Sequence, residues 1–175
     1  MADVKRCFDG YDVGIRYADD TVGRILNKLD SLGVLEDTAV LISSDHGEAF
    51  GELGVYTDHQ AADESTCHIP AVLKWPGLAP RKYSGLHYHL DVAATIVDVA
   101  GLEAPHDWWD GISVASELRA NKEAGREHLI LSQGAWSCQR AVRWGDFIYL
   151  KTWHDGFHCW PDEMLFDIRN DAHEQ

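Results

Sequence analysis

The chain has 175 residues, of which 45% are hydrophobic and 25% charged, a composition that excludes a disordered chain and is typical of a protein that buries a core. Its 29 acidic residues outnumber the 15 Lys and Arg residues, and the formal net charge of −14 argues against a general nucleic-acid binder, which needs basic side chains to neutralise phosphates. No apolar run approaches the roughly 20 residues that span a bilayer, and the opening segment MADVKRCFDGYD lacks the apolar part of a signal peptide. We therefore expect neither nucleic acid nor membrane as a partner, and a cytoplasmic location is favoured.

The first half of the chain predicts helices and apolar strands in alternation. Apolar residues recur at helical spacing from Val13 to Leu32, and Gly33 follows where helices commonly end. The segment LEDTAVLIS predicts a wholly apolar strand over 39–42, of the kind that is buried on both faces in a parallel sheet. A second strand is predicted over 71–73, and LDVAATIVDVAG predicts a helix with Asp91 near its N-terminus.

The pattern changes beyond about Ala120. The runs HLILSQ, QRAVRW, DFIYLKTW and EMLFDI are short and β-rich, and WGD between two of them is a good hairpin turn. The predicted fold class is therefore α/β, with an α/β sheet domain over 1–122 followed by a small antiparallel β subdomain over 123–175.

The four cysteines are widely scattered along the chain. They form neither a CxxC motif nor a dense secreted framework: Cys7, Cys67, Cys138 and Cys159. We expect free thiols at these positions.

A polar cluster begins where the first apolar strand ends, in the segment LISSDHGEAFGELGVYTDHQ. Asp45 and His46 follow the strand directly, and in open α/β sheets ligands lie beyond the carboxyl ends of the strands. Three glycines let the next residues bend tightly, and Asp58 and His59 bring further polar groups back. A carboxylate beside an imidazole suits Ca²⁺, Mg²⁺, Mn²⁺ or Zn²⁺. An isolated SDHG is also typical of a plain polar turn, so the strand and glycine context is what favours a metal site.

The same segment, read with its neighbours, resembles the sulfatase family of the alkaline phosphatase superfamily. The resemblance starts in YDVGIRYADDTVGRILNKLDSLGVLEDTAVLISSDHGEAFGELGVY, which matches a helix, a strand ending in SDHGE and a glycine loop in the family's order. It continues through HIPAVLKWPG, HLDVAATIVDVAGLEAP and DGISVASEL to EMLFDIRNDAHEQ at the end of the chain. The resemblance implies an alkaline-phosphatase-like sheet domain and a metal-dependent hydrolase.

The resemblance also implies roles for individual residues. Asp45 and His46 match the family's Asp-Asn or Asp-His pair, which holds a divalent cation, usually Ca²⁺, against the sulfate oxygens. His59 falls near the position of a sulfate-contacting Lys in many members, while Asp58 is not expected to contact the substrate. The glycine loop departs from the family pattern, because Leu53 stands in place of a His.

The family's nucleophile has no counterpart in this sequence. Sulfatases make a formylglycine from the Cys or Ser of a C-x-P-x-R type motif, and two further metal-binding aspartates accompany it in the N-terminal half. The segment CWPDE begins like that motif at Cys159 but has Glu163 where Arg is needed, so Cys159 is interpreted as structural. We therefore expect a C-terminal portion of a sulfatase that does not hydrolyse sulfate esters alone.

Two other polar clusters are candidates for ligand contact. His87 and His89 have a spacing that metal ligands use, although an exposed strand end is the favoured interpretation. The segment KTWHDGFHCWPDE combines His154, Asp155 and His158 with aromatic residues around a glycine, the mixture found in sugar-binding or aryl-binding pockets. A packed turn explains the same pattern, and a pocket loop here would shape substrate choice.

Several alternatives remain open from the sequence. Phosphodiesterases and phosphonate monoester hydrolases of the same superfamily also carry an Asp-His pair, and a non-catalytic binding or accessory module would retain the pair as a relic. The expected substrate of a complete enzyme is a sulfated small molecule or glycan. A parallel sheet without its N-terminal strands is also expected to expose an apolar edge and to self-associate.

Overall fold

A computed structural model describes residues 2–103, 109–123 and 125–175 of the chain. The helices are α1 (Ala2–Ser31), α2 (Glu64–Cys67), α3 (His89–Val99) and α4 (Ala115–Arg119), with a 3-10 turn at Glu52–Gly54. The strands are β1 (Val40–Ser43), β2 (Ala49–Phe50), β3 (Tyr56–Asp58), β4 (Ala71–Lys74), β5 (His128–Gln133), β6 (Cys138–Trp144), β7 (Phe147–His154) and β8 (Glu163–Asp167). The combination of helices with a small antiparallel C-terminal sheet confirms the predicted fold class.

The first helix is longer than the apolar spacing predicted. It begins at Ala2 and runs for 30 residues, and exposed ion pairs one turn apart, such as Lys5 with Asp9, accompany its early turns. The rings of Phe8 and Tyr11 pack on Phe50, with centroids 4.7 and 4.8 Å away. Within the part of the chain that the structure describes, no helix combines the length and the apolar character needed to cross a membrane.

The two predicted apolar strands form, but they pair differently from the prediction. β1 and β4 are antiparallel, with Leu41 opposite Leu73 and Ile42 opposite Val72. The prediction of a parallel arrangement is wrong for this pair because an apolar run carries no information about the direction of its partner. The prediction of burial on both faces is wrong as well, since Ile42 is 38% exposed and Val72 is 59% exposed.

The C-terminal sheet matches the prediction strand for strand. Its order is β5-β6-β7-β8, all antiparallel, and Gly145 (φ 48°) begins the two-residue turn that joins Trp144 to Phe147. The buried core lies on one face of this sheet and contains Ala141, Ile148 and Leu150. Ala62, from the loop that follows β3, is buried in the same core. The division at residue 122 stays a prediction.

A buried ion pair connects α3 to the segment that leads into β5. Asp91 is 2% exposed, and its carboxylate accepts hydrogen bonds from Arg126 at 2.6 and 2.9 Å and from the backbone N–H of Tyr88 at 2.9 Å. Burial alone would raise the pKa of Asp91, but the bonds from Arg126 and two backbone N–H groups hold that pKa below its ordinary value. The same carboxylate therefore caps the helix and fixes it against the sheet.

All four cysteines are free thiols in the structure, in agreement with the sequence prediction.

Candidate functional site

The polar cluster begins directly after β1, which places Asp45 and His46 at the end of that strand. Asp45 is exposed, and its carboxylate accepts a hydrogen bond from the backbone N–H of His46 at 3.1 Å. Its own backbone N–H and the neighbouring imidazole lower the pKa of Asp45, so the carboxylate is ionised at neutral pH. An ionised, exposed carboxylate is available to a cation.

The ring of His46 is held in one tautomer by its own loop. Nδ1 lies 2.8 Å from the backbone carbonyl oxygen of Gly47. A carbonyl oxygen only accepts, so Nδ1 donates and the lone pair of the neutral ring lies on Nε2. That atom is 3.9 Å from a carboxylate oxygen of Asp45. The bond to Gly47 is the kind of supporting contact that orients metal-binding histidines.

Gly47 allows the loop to pack against α2. Its backbone N–H donates to the carbonyl of Thr66 at 2.8 Å, and a Cβ at this position would lie 2.0 Å from the backbone oxygen of Ser65. The buried carboxylate of Asp63 caps α2 by accepting from the N–H of Thr66 at 3.0 Å. A glycine is therefore required for close contact between the site loop and α2.

Three potential metal donors converge beyond β1. One ligand atom from each of His46, Glu48 and His59 lies within 4.8 Å of the others. His59 Nδ1 is 3.5 Å from a carboxylate oxygen of Glu48, and the rings of His46 and His59 stack with centroids 3.8 Å apart. His59 Nδ1 is also a buried atom without a hydrogen-bond partner in the described structure.

These donors fit a divalent cation. Ligand atoms on opposite sides of Ca²⁺ are about 5 Å apart, so donors within 4.8 Å of one another match one such ion, whereas the ligand atoms of a tetrahedral Zn²⁺ lie about 3.4 Å apart and the donors would have to move closer together. Two imidazoles with a carboxylate suit Zn²⁺ or Mn²⁺, and the nearby carboxylate of Asp45 adds an oxygen donor that suits Ca²⁺ as well. The donor set of these neighbouring loops is therefore one that could hold a metal ion.

Asp58 lies beside His59 but is occupied by its own contacts. Its carboxylate accepts from the backbone N–H of His59 at 2.8 Å and from the side-chain amide of Gln60 at 2.6 Å. The backbone N–H of His59 is the main cause that lowers the pKa of Asp58. The carboxylate is therefore an ionised partner of its own loop.

The C-terminal sheet fixes the backbone around His59. The side chain of Gln133 donates to the carbonyl of His59 at 2.8 Å, and the hydroxyl of Ser137 donates to the carbonyl of Gln60 at 2.8 Å. The side-chain oxygen of the buried Gln139 accepts from the backbone N–H of Ala62 at 2.9 Å. The sheet predicted as an appendage is therefore part of the framework of the site.

The loop between β7 and β8 reaches this framework through one of its three candidate residues. His158 Nε2 lies 2.6 Å from the side-chain oxygen of Gln60. His154 accepts from the backbone N–H of Gly156, and the backbone carbonyl of Asp155 accepts from the N–H of His158, so both belong to the local turn. The structure thus brings His158 to the site and gives His154 and Asp155 a turn-forming role.

Three other candidate residues are not among the converging donors. His89 begins α3, and its Nε2 is 3.4 Å from the hydroxyl of Ser43, while His87 lies just ahead of the helix. Cys159 is exposed with a φ of 58°, in the turn that precedes β8. Its interpretation as structural stays a prediction.

Glu48 and Gln60 were missed by the sequence reasoning. Glu48 stands two residues after His46, where its charge alone gave a signal for a donor. Gln60 gave none, because its importance depends on His158, which is 98 residues away along the chain.

The sulfatase family profile matches residues 5–102. The chain is 30% identical to the choline-sulfatase of Rhizobium meliloti over 98% of its own length and 33% of the relative, and 28% identical to the ulvan-active sulfatase of Formosa agariphila over 95% and 33%. It therefore spans about a third of the length of these curated relatives.

Solved structures give the same fold. A protein assigned as a sulfatase from Bacteroides thetaiotaomicron aligns with a TM-score of 0.74 and 24% identity over 90% of this chain and 35% of that one. A phosphonate monoester hydrolase from Silicibacter pomeroyi aligns with a TM-score of 0.69 and 23% identity over 87% and 33%. At these identities the likeness concerns the fold alone.

Proposed function

The chain belongs to the sulfatase family, and from that premise we propose that its 175 residues supply the metal-binding part, and a portion of the sulfate-binding part, of a sulfuric ester hydrolase. The observation that carries this proposal is the convergence of donor atoms from His46, Glu48 and His59 at the end of β1, beside the ionised carboxylate of Asp45. A plain polar turn has no need for three donors from segments that are ten or more residues apart.

Asp45 and His46 are the proposed metal ligands. The tautomer of His46 supports this role, because the bond from Nδ1 to the carbonyl of Gly47 leaves the Nε2 lone pair free. When bound, a divalent cation stabilises negative charge on the transferring group. Ca²⁺ is the first choice from the family resemblance. The second imidazole, His59, and the carboxylate of Glu48 make Mn²⁺ or Zn²⁺ the next choices, with Mg²⁺ after them.

His59 is the proposed contact for the sulfate group. Its side chain is 42% exposed next to the metal donors, so an imidazole N–H is available to donate to an anionic oxygen there. The named relatives are sulfatases for choline sulfate and ulvan, and another is an N-acetylglucosamine-6-O-sulfatase. The proposed substrate class is accordingly a sulfated small molecule or glycan.

The 175 residues are proposed to be inactive on their own. They contain no C-x-P-x-R or S-x-P-x-R sequence, so no formylglycine precursor is available to attack sulfur. The test is an assay of the purified chain with 4-nitrophenyl sulfate and added Ca²⁺ or Mn²⁺. We expect no turnover above the blank, and turnover that disappears in Asp45→Ala would overturn this part of the proposal.

The metal site is tested by calorimetric titration with Ca²⁺ and Mn²⁺. We expect Asp45→Ala and His46→Ala each to weaken binding by about tenfold or more, because each removes a direct ligand. Asp37→Ala is the matched control, since Asp37 is an exposed acid in the turn before β1. Binding that is equal in all four proteins, or absent from the unaltered chain, would favour the accessory module without a metal.

A second candidate is a phosphonate monoester hydrolase or phosphodiesterase site. The structural likeness to the Silicibacter pomeroyi enzyme, together with the Asp-His pair, favours keeping it. Inorganic sulfate and phosphate distinguish the two. Preferential protection of the metal-loaded chain against thermal unfolding by sulfate supports the sulfatase, and preferential protection by phosphate supports the second candidate.

A further inference from the structure

We propose that His158 is a positioning residue for the site, which orients Asp58 and His59 through the side chain of Gln60. This inference rests on the proposed function, because the group that it positions is the proposed sulfate contact. His158 does not touch the metal donors itself. It lies in the loop between β7 and β8, far along the chain from the residues it holds.

The connection is a continuous chain of short hydrogen bonds. His158 Nε2 lies 2.6 Å from the side-chain oxygen of Gln60, and the amide nitrogen of Gln60 donates to Asp58 Oδ2 at 2.6 Å. The other carboxylate oxygen, Asp58 Oδ1, accepts from the backbone N–H of His59 at 2.8 Å and lies 3.6 Å from its ring Nδ1. The ring of His59 in turn stacks on His46.

The chemistry of the amide fixes the direction of every bond in this chain. The side-chain oxygen of Gln60 only accepts, so His158 Nε2 must carry the proton that it donates. The amide nitrogen only donates, and the carboxylate of Asp58 is its acceptor. If Gln60 turned its side chain around, two acceptor oxygens would face each other and the bond to Asp58 would be lost, so the contact with His158 helps to orient Asp58.

His158 is itself held rigidly enough to act as an anchor. Its ring stacks on Trp160, with centroids 4.2 Å apart and an interplanar angle of 8°, and Phe157 lies against it at 4.5 Å. The indole of Trp160 donates to the backbone carbonyl of Leu53 at 2.7 Å, which ties this loop to the glycine loop of the site. Gln60 is only 9% exposed, so its polar side chain needs these partners.

These side-chain contacts have a different role from the hydrogen bonds that hold the backbone of the loop. Gln133 and Ser137 hold the carbonyls of His59 and Gln60, which sets where the loop lies. The contacts from His158 act on side chains and set where the carboxylate of Asp58 points. That carboxylate lies 3.6 Å from Nδ1 of His59, about as close as the carboxylate of Glu48 at 3.5 Å, so its position affects the orientation of the imidazole.

The test uses three variants of the 175-residue chain. His158→Leu removes the donor, His158→Gln keeps a side-chain N–H donor, and His154→Leu removes a histidine of the same loop that has no bond to Gln60. Long-range ¹H–¹⁵N NMR of the metal-free proteins reports the ring tautomers of His46 and His59, and calorimetry with Mn²⁺ as the probe reports the affinity of the site.

We expect His158→Leu to shift the ring ¹⁵N resonances of His59 and to weaken Mn²⁺ binding by about tenfold, the typical effect of losing a supporting contact. His158→Gln should recover most of both signals, and His154→Leu should leave both unchanged. Unchanged His59 resonances in His158→Leu, or equal shifts in His154→Leu, would overturn the proposal. If His158→Leu does not fold, Gln60→Met breaks the same chain of bonds with a side chain of similar size and decides the question.

The two proposals fail in different ways. If His59 responds to His158→Leu but none of the proteins binds Mn²⁺, the positioning holds and the proposed metal site is wrong. If the unaltered chain binds Mn²⁺ and His158→Leu changes neither affinity nor the His59 resonances, the metal site stands and the positioning role is wrong.

Discussion

The C-terminal sheet supports the half of the candidate site around His59, and the β1–β4 pair supports the half around Asp45 and His46. The two supports are anchored very differently. In the sheet, Ile148 and Leu150 are completely buried, whereas in the strand pair Val72 is 59% exposed. Two side chains that are distant in the sequence hold the loop of His59. Gln133 is 74 residues beyond His59, and His158 is 98 residues beyond Gln60. Asp45 and His46, at the end of β1, make their described hydrogen bonds with residues one or two positions away.

This difference shows which half of the site is preformed by the chain itself. Ala62 belongs to the core of the sheet, and hydrogen bonds from the sheet hold the backbone of His59 and Gln60, so the position of His59 depends on that core. The position of Asp45 and His46 depends on local turns, on the pairing of β1 with β4 and on the bond from Gly47 to Thr66. We infer that the half around His59, the proposed sulfate contact, is the rigid half, and that the half around Asp45 and His46, the proposed metal-binding half, is held less firmly.

The largest expected effect on stability comes from shortening a side chain in the core of the C-terminal sheet, which supports the rigid half. Ile148→Ala should lower the free energy of unfolding by about 2–5 kcal/mol, because it leaves a cavity in a close-packed core. The matched variant Val72→Ala, on the exposed strand, should cost less than about 1 kcal/mol. Urea denaturation followed by circular dichroism measures both. Equal losses would contradict the assignment of the core to the sheet.

The next effect tests a long-range anchor of the metal-binding half, the bond from Gly47 to Thr66. Gly47→Ala places a Cβ against the backbone oxygen of Ser65 and should cost about 1–3 kcal/mol, since one backbone segment must move. Gly54→Ala is a control with open space around its Cβ, although its φ of 75° adds some strain. Hydrogen exchange of the backbone amide at position 47 should accelerate in Gly47→Ala and stay unchanged in Gly54→Ala. Protection retained in Gly47→Ala would show that the loop does not depend on α2.

The sheet could be predicted from the sequence because its information is local. Alternating apolar residues define each strand, and Gly145 with Asp146 defines the hairpin between β6 and β7. The pairing of β1 with β4 could not be predicted in the same way, because an apolar run specifies burial and leaves direction and partner open. The early turns of α1 were missed, although Val4, Phe8 and Tyr11 already recur at helical spacing before Val13.

The residues of the site differ in the same way, because some could be predicted from the local sequence and others could not. Asp45, His46 and His59 could be proposed from a short motif and its resemblance to a family. Glu48 and Gln60 could not, because their roles arise only when the loop folds back and contacts the sheet. His158 was recognised from its mixture of polar and aromatic neighbours, which indicated a ligand loop. Its contact with Gln60 is a tertiary feature that no local pattern encodes.

A smaller effect concerns the buried carboxyl of Glu174, which supports α2 beneath the metal-binding half. Glu174 is 3% exposed and accepts from the backbone N–H of Glu64 at 2.8 Å, and burial, with Asp63 and Glu64 nearby, raises its pKa to about 8. A carboxyl that is protonated when folded and ionised when unfolded stabilises the fold below its ordinary pKa of 4.5, and that stability is lost as the pH rises toward 8.

Glu174→Gln should remove this loss, so that the variant is more stable than the unaltered chain by about 1 kcal/mol or more at pH 8 and nearly equal to it near pH 4. Thermal unfolding at a series of pH values measures the difference. Glu36→Gln, at an exposed position, is the control for the change in net charge. A difference between Glu174→Gln and the unaltered chain that does not grow with pH would contradict the raised pKa.

The smallest effect on stability, with the clearest effect on association, is expected at the exposed strand pair. In the described structure β1 and β4 pair only with each other, so each presents one open edge and the apolar side chains of Ile42 and Val72 to solvent. Open apolar edges pair with other chains, and a Lys on such a strand opposes that pairing.

Val72→Lys should change the free energy of unfolding by less than about 0.5 kcal/mol, as is usual at an exposed position, while converting self-associated chain to monomer. Light scattering after size exclusion measures the mass, with Leu165→Lys on the exposed face of the C-terminal sheet as control. Association that Leu165→Lys abolishes and Val72→Lys leaves intact would place the contact surface on the rigid half of the molecule.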